Sequence, residues 1–68
     1  MSKKAIVFGG SGFLGSHVAD VLSDDGLDVT VFDRRQSPYL RPDQRMVIGD
    51  ILDANKVRET IKEQDVVY

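Results

Sequence analysis

The chain has 68 residues, 41% of them hydrophobic, and a net charge of −2; a unit this small buries only about 60% of the surface its unfolded chain exposes. With no cysteine it lacks a disulfide staple and a thiolate metal site, so further stability must come from more chain, a ligand or a second subunit, homo-oligomers included. A pI near 5.1 and the lack of a basic run exclude a nucleic-acid footprint, and the short apolar run behind Lys3 and Lys4 excludes a signal core or membrane span, which makes the cytoplasm the expected location.

Lys4–Phe8 reads as a first buried strand, because Ile6, Val7 and Phe8 form a continuous apolar run of strong β propensity closed by glycine. Residues 9–15 then read Gly-Gly-Ser-Gly-Phe-Leu-Gly. Gly9, Gly12 and Gly15 give the spacing G-x-x-G-x-x-G, and Gly10, Gly12 and Gly15 also satisfy G-x-G-x-x-G. A strand that enters such a turn and leaves as a helix aims free backbone N–H groups and the positive helix end at one point, where an anion belongs. The first glycine permits the tight turn. The middle one lets the backbone approach a pyrophosphate, and the last lets the helix pack closely on the strand.

Leu14, Val18, Val21 and Leu22 fall on one face of the following helix, which should end near Asp25 with Gly26 as its left-handed closing residue. Asp28–Asp33 reads as a second strand, parallel to the first through a right-handed crossover. It ends in Asp33, 18 residues beyond Gly15 and 21 beyond Gly12, where a dinucleotide fingerprint places its ribose-binding acid. A bare glycine spacing is as often a loop that binds nothing. Here the preceding strand, the following helix, the second strand and the acid all accompany it.

Residues 34–43, with Ser37-Pro38 and Arg41-Pro42, form a loop, and Arg45–Ile48 a third strand stopped by Gly49. Asp53 is the expected N-cap of a second helix running to about Gln64, with Leu52 and Val57 placed as a hydrophobic staple. Ala54, Val57 and Ile61 give it a narrow apolar stripe; Lys56, Arg58, Glu59, Lys62 and Glu63 read as ordinary surface. Residues 65–68, Asp-Val-Val-Tyr, begin another strand. The single histidine, His17, lies on a helix that should direct it away from where a nicotinamide would lie beyond such a turn, and no His or carboxylate cluster has metal-ligand spacing.

The run 5–17, Val31-Phe-Asp-Arg-Arg, Gly49-Asp-Ile-Leu-Asp and Asp65-Val-Val-Tyr together resemble the N-terminal part of the extended short-chain dehydrogenase/reductases, in particular the NAD-dependent epimerase/dehydratases that act on nucleotide sugars. The resemblance covers essentially the whole chain. It implies an α/β fold: the N-terminal half of a Rossmann-type doubly wound parallel sheet, strand order 3-2-1-4. Residues 1–68 would be the N-terminal portion of an NAD(P)-binding domain whose catalytic and substrate-binding remainder is absent.

Position by position, the resemblance implies that Gly9, Gly12 and Gly15 form the pyrophosphate turn, with the N–H groups of Phe13 and Leu14 facing the phosphates. Asp33 would accept from the adenosine ribose and disfavour a 2′-phosphate, giving NAD over NADP. Arg34 and Arg35 soften that preference, since a basic residue there can pair with a 2′-phosphate or stack on adenine. Asp50 and Ile51 match the pair that binds the adenine amino group and ring, against the plain alternative that Asp50 ends a strand and Ile51 is core. The family's acid/base pair Tyr-x-x-x-Lys is missing: Tyr39 is followed four residues later by Asp43, and Tyr68 is the last residue. The expected function is therefore the cofactor-binding portion of a nucleotide-sugar epimerase or dehydratase, inactive as this stretch alone. The alternatives are a non-catalytic NAD(P) sensor and a related carbonyl reductase acting on a steroid- or flavonoid-like substrate.

Overall fold

The computed structural model describes residues 3–9 and 11–68. Gly10, on which the G-x-G-x-x-G reading depends, lies outside them. The elements follow the expected order: β1 (Lys4–Phe8), α1 (Phe13–Asp24), β2 (Asp28–Asp33), β3 (Arg45–Ile48), α2 (Ala54–Ile61) and β4 (Val66–Val67). The four strands form one parallel sheet in the order β3-β2-β1-β4, the doubly wound arrangement the sequence predicts.

β1 and β2 pair along the whole length of β1, from Lys4 opposite Asp28 to Phe8 opposite Phe32. Successive side chains alternate between the two faces of the sheet. On one face Ala5, Val7, Val29 and Val31 pack with Ala19 and Leu22 of α1. On the other lie Ile6 and Phe32, both fully buried, with the rings of Phe8 and Phe32 5.1 Å apart. Burial on both faces is why β1 is a continuous apolar run rather than an alternating one, and why β2 buries even its one polar interior residue, Thr30. A Cβ on Gly49 would lie 2.9 Å from Phe32 Cζ and 3.2 Å from Lys56 Cγ, so the chain leaving β3 turns hard against the Phe32 ring.

β4 docks on the free side of β1. The Lys4 N–H donates to Asp65 Oδ2 at 2.7 Å and the Asp65 N–H to the Lys4 carbonyl at 2.8 Å. Further along, the Tyr68 N–H donates to Ile6 O and the Phe8 N–H to Tyr68 O. Gly26 has φ +88°, and its N–H donates to Ser23 O at 3.0 Å, which closes α1 where the sequence places its end.

Three local expectations are corrected. The buried face of α1 is Ser16, Ala19 and Leu22, whereas Leu14, Val18 and Val21 are 79%, 40% and 49% exposed. Of the expected stripe only Leu22 faces the sheet, where it is joined by the small residues Ser16 and Ala19. In α2 the Asp53 cap forms as expected, with Asp53 Oδ1 accepting from the Lys56 N–H at 3.2 Å. Leu52, however, is 88% exposed, so no staple buries it, and the helix ends at Ile61, short of Gln64.

The corrected face makes unequal demands on two leucines of one helix. Leu22→Ala should cost about 2–5 kcal/mol, as buried leucine truncations do, and Leu14→Ala no more than about 0.5 kcal/mol. Urea denaturation of the two variants measures both.

Candidate functional site

Three parallel strands end side by side, and their turns form the candidate site. Beyond β1, Gly9 takes φ +74°, a left-handed conformation that favours glycine, and its N–H donates to Phe32 O at 2.9 Å. Beyond β3, the Gly49 N–H donates to Asp33 O at 2.9 Å. The glycine turn, Asp33 and the Gly49-Asp50-Ile51 turn are thus held together by main-chain bonds across neighbouring strand ends.

Gly12 is the N-cap of α1, in extended conformation (φ −73°, ψ 165°), with no side-chain capping bond. The Ser16 N–H reaches Gly12 O at 2.8 Å, so the N–H groups of Phe13, Leu14 and Gly15 precede the first intrahelical bond and have no carbonyl partner within the helix. That is the electropositive end of a helix of 12 residues. A Cβ built on Gly12 would meet only Gly9 O, at 3.9 Å, and its φ and ψ suit any residue. Nothing in the described fold therefore requires glycine at 12. The side chains of Phe13 and Leu14 are exposed.

Asp33 stands at the end of β2 with both carboxylate oxygens engaged. Oδ2 accepts from the Ser11 N–H at 3.0 Å and Oδ1 from the Arg34 N–H at 2.6 Å. The Ser11 hydroxyl donates to Arg35 O at 2.7 Å. Arg34 and Arg35 are exposed beside this cluster. Asp50 is exposed, and its Oδ1 accepts from the Leu52 N–H at 2.9 Å. Ile51 is 60% exposed among these residues. His17 is exposed on α1, and no group of three potential metal ligands occurs among the described residues.

Sequence reasoning missed Ser11, whose place inside the glycine motif was the available signal. It also missed how the 34–44 segment is tied down. Gln44 is buried: its Nε2 donates to Asp20 Oδ1 and Ser23 Oγ, each at 3.0 Å, and its Oε1 accepts from the Arg41 N–H. The Arg41 guanidinium pairs with Asp24 at 2.8 Å and Asp20 at 3.2 Å. So anchored, the loop sets Tyr39 edge-on to Phe13, ring centroids 6.1 Å apart, at the N-terminus of α1. An open cleft of about 430 Å³ between α2 and the β2–β3 side of the sheet, lined by Thr30, Arg45, Lys56 and Gln64 among others, belongs to a different part of the molecule. Among the described residues no helix is long and apolar enough to cross a membrane.

This architecture has known counterparts. The sequence pattern of the NAD dependent epimerase/dehydratase family matches residues 5–68. The chain belongs to that family. It is 35% identical to a UDP-N-acetyl-alpha-D-glucosaminuronate decarboxylase of Bacillus cytotoxicus, over 100% of this chain and 23% of that protein. To a decarboxylating sterol-4-alpha-carboxylate 3-dehydrogenase of Mus musculus it is 36% identical, over 98% of this chain and 18% of that protein. The crystal structure of a UDP-glucose 4-epimerase superposes with a TM-score of 0.81 and 27% identity, covering 96% of this chain and 21% of that one. The chain thus spans less than a quarter of the length of each relative.

The loop anchor is sensitive to acid. The hydrogen bond from Arg41, and then its charge, hold the Asp24 carboxyl below the ordinary aspartate range. A carboxyl depressed in the folded state contributes stability at neutral pH and loses it as pH falls through its lowered value. Acidification into that range should therefore break the Arg41–Asp24 pair, leave the guanidinium held by Asp20 alone, and shift the Tyr39 ring signals in an NMR titration. In Asp24→Asn the same signals should start near their acid positions and lose the part of the titration that Asp24 causes.

Proposed function

We propose that residues 1–68 are the N-terminal portion of an NAD(P)-binding domain and form the adenosine and pyrophosphate side of its dinucleotide site, in an NAD-dependent epimerase or dehydratase that acts on a nucleotide sugar. The observation that carries this reading is the uncapped N-terminus of α1, opening from Gly12 beside the Asp33 carboxylate. Gly9, Gly12 and Gly15 form the turn around the pyrophosphate, and the N–H groups of Phe13 and Leu14 donate to it. Asp33 accepts from the ribose hydroxyls with lone pairs that its two present bonds leave free, since a carboxylate offers about four acceptor positions. Its charge repels a 2′-phosphate, so the cofactor is NAD rather than NADP. Arg34 flanks the adenosine, Asp50 takes the adenine amino group, and the exposed Ile51 supplies an apolar surface for the ring.

The nucleotide-sugar assignment is supported by two relatives whose names specify UDP-sugar chemistry. The bound dinucleotide supplies hydride chemistry; what these residues do is bind and orient it. Tyr39 lacks the lysine four residues on and packs on Phe13, so this portion contributes no acid/base pair and is inactive alone. The 36% identity to a sterol carboxylate dehydrogenase supports one second reading, an NAD(P)-dependent enzyme of steroid-like substrates that shares the same cofactor half.

Gly12→Val separates ligand from fold. Because nothing among the described residues opposes a side chain there, the protein should still fold, at a cost of about 1 kcal/mol for the poorer N-cap, while calorimetric NAD binding should be abolished. Retained NAD affinity in a folded Gly12→Val protein would refute the proposed approach of the pyrophosphate, and tighter binding of NADP than NAD would overturn the assignment of cofactor.

A further inference from the structure

We infer that Asp33 is also a positioning residue for the glycine turn, acting on the diphosphate end of the dinucleotide through the Ser11 N–H; this rests on the dinucleotide reading above. The turn is fastened to the end of β2 at both of its described sides. Gly9 donates to Phe32 O on one side, and Ser11 donates to Asp33 Oδ2 from its N–H and to Arg35 O from its hydroxyl on the other. The Arg34 N–H at 2.6 Å from Oδ1 fixes the carboxylate in the orientation that presents Oδ2 to Ser11. A hydrogen bond from an amide to a carboxylate is stronger than one between neutral groups. It joins points 22 residues apart in the chain, at a helix end that no side chain among the described residues caps.

One carboxylate therefore has two effects on binding. It selects the ribose by charge and by accepting hydroxyls, and it sets where the turn holds the N–H groups of Phe13 and Leu14. A change at 33 that admits a 2′-phosphate by removing the charge also removes the anchor, unless the new side chain still offers an oxygen to Ser11. Asparagine does so and alanine does not.

The test compares the intact parent protein with Asp33→Ala and Asp33→Asn, using cofactor-free amide exchange and titration with inorganic pyrophosphate, which has no ribose. Exchange at the Ser11 N–H should accelerate about tenfold or more in Asp33→Ala, the effect of losing a bond to a charged acceptor, and stay within about threefold of that rise's starting value in Asp33→Asn. Both variants are neutral, so loss of the carboxylate's repulsion cancels between them. Pyrophosphate should nonetheless bind about tenfold more weakly to the alanine than to the asparagine variant. Equal Ser11 exchange in all three proteins, or equal pyrophosphate affinity in the two variants, overturns the inference. If the parent binds neither NAD nor pyrophosphate while the exchange pattern holds, the dinucleotide reading fails, the action on the diphosphate fails with it, and the anchor itself stands.

Discussion

The burial of β1 on both faces and along both edges is the constraint from which the other placements follow. Ala5 and Ile6 have no exposed surface, and their main chain is paired with β2 on one side and β4 on the other. A strand so enclosed must leave the sheet abruptly, because a buried backbone cannot wander without losing hydrogen bonds. Gly9 makes that exit in a left-handed conformation, and its bond to Phe32 O fixes the exit against the end of β2. The direction of α1, the opening at Gly12 and the meeting of the turn with Asp33 all depend on that departure.

Those elements were legible in the sequence because each rests on a local pattern. The apolar runs of β1 and β2, the glycine spacing, Gly26 after α1 and Asp53 before α2 are signals read within a few residues. The rotation of α1 was not legible in this way. Leu14, Val18 and Val21 lie on the exposed side of the helix, while Ser16 and Ala19 join Leu22 on the buried one. A hydrophobic stripe reports where apolar surface is, not which side of the helix the sheet covers.

The candidate site was legible in which residues stand together and less so in their connections. Gly9, Gly12, Asp33 and Asp50 stand on adjoining strand ends, yet spacing alone cannot reveal that Asp33 already accepts two main-chain bonds. The same holds for Gln44, whose partners Asp20 and Ser23 lie 24 and 21 residues away. Polar bonds over such separations have no periodicity to betray them. They decide the order around the turn, since the segment after β2 is tied to α1 at one end and to the glycine turn at the other.

The strand order also has a consequence for biosynthesis. β1 precedes the other three strands of this sheet and ends up in its interior, but one of its edges is completed only when Val66 and Val67 arrive. Until then β1, with its buried run Ala5 to Val7, is an outer strand lacking a partner on that side. Unpaired strand edges of this kind recruit other chains, and parallel pairings between distant segments form slowly. A nascent polypeptide stalled or cleaved before residue 65 would expose that edge, so chaperone dependence and aggregation during translation should concentrate on intermediates that end just short of β4.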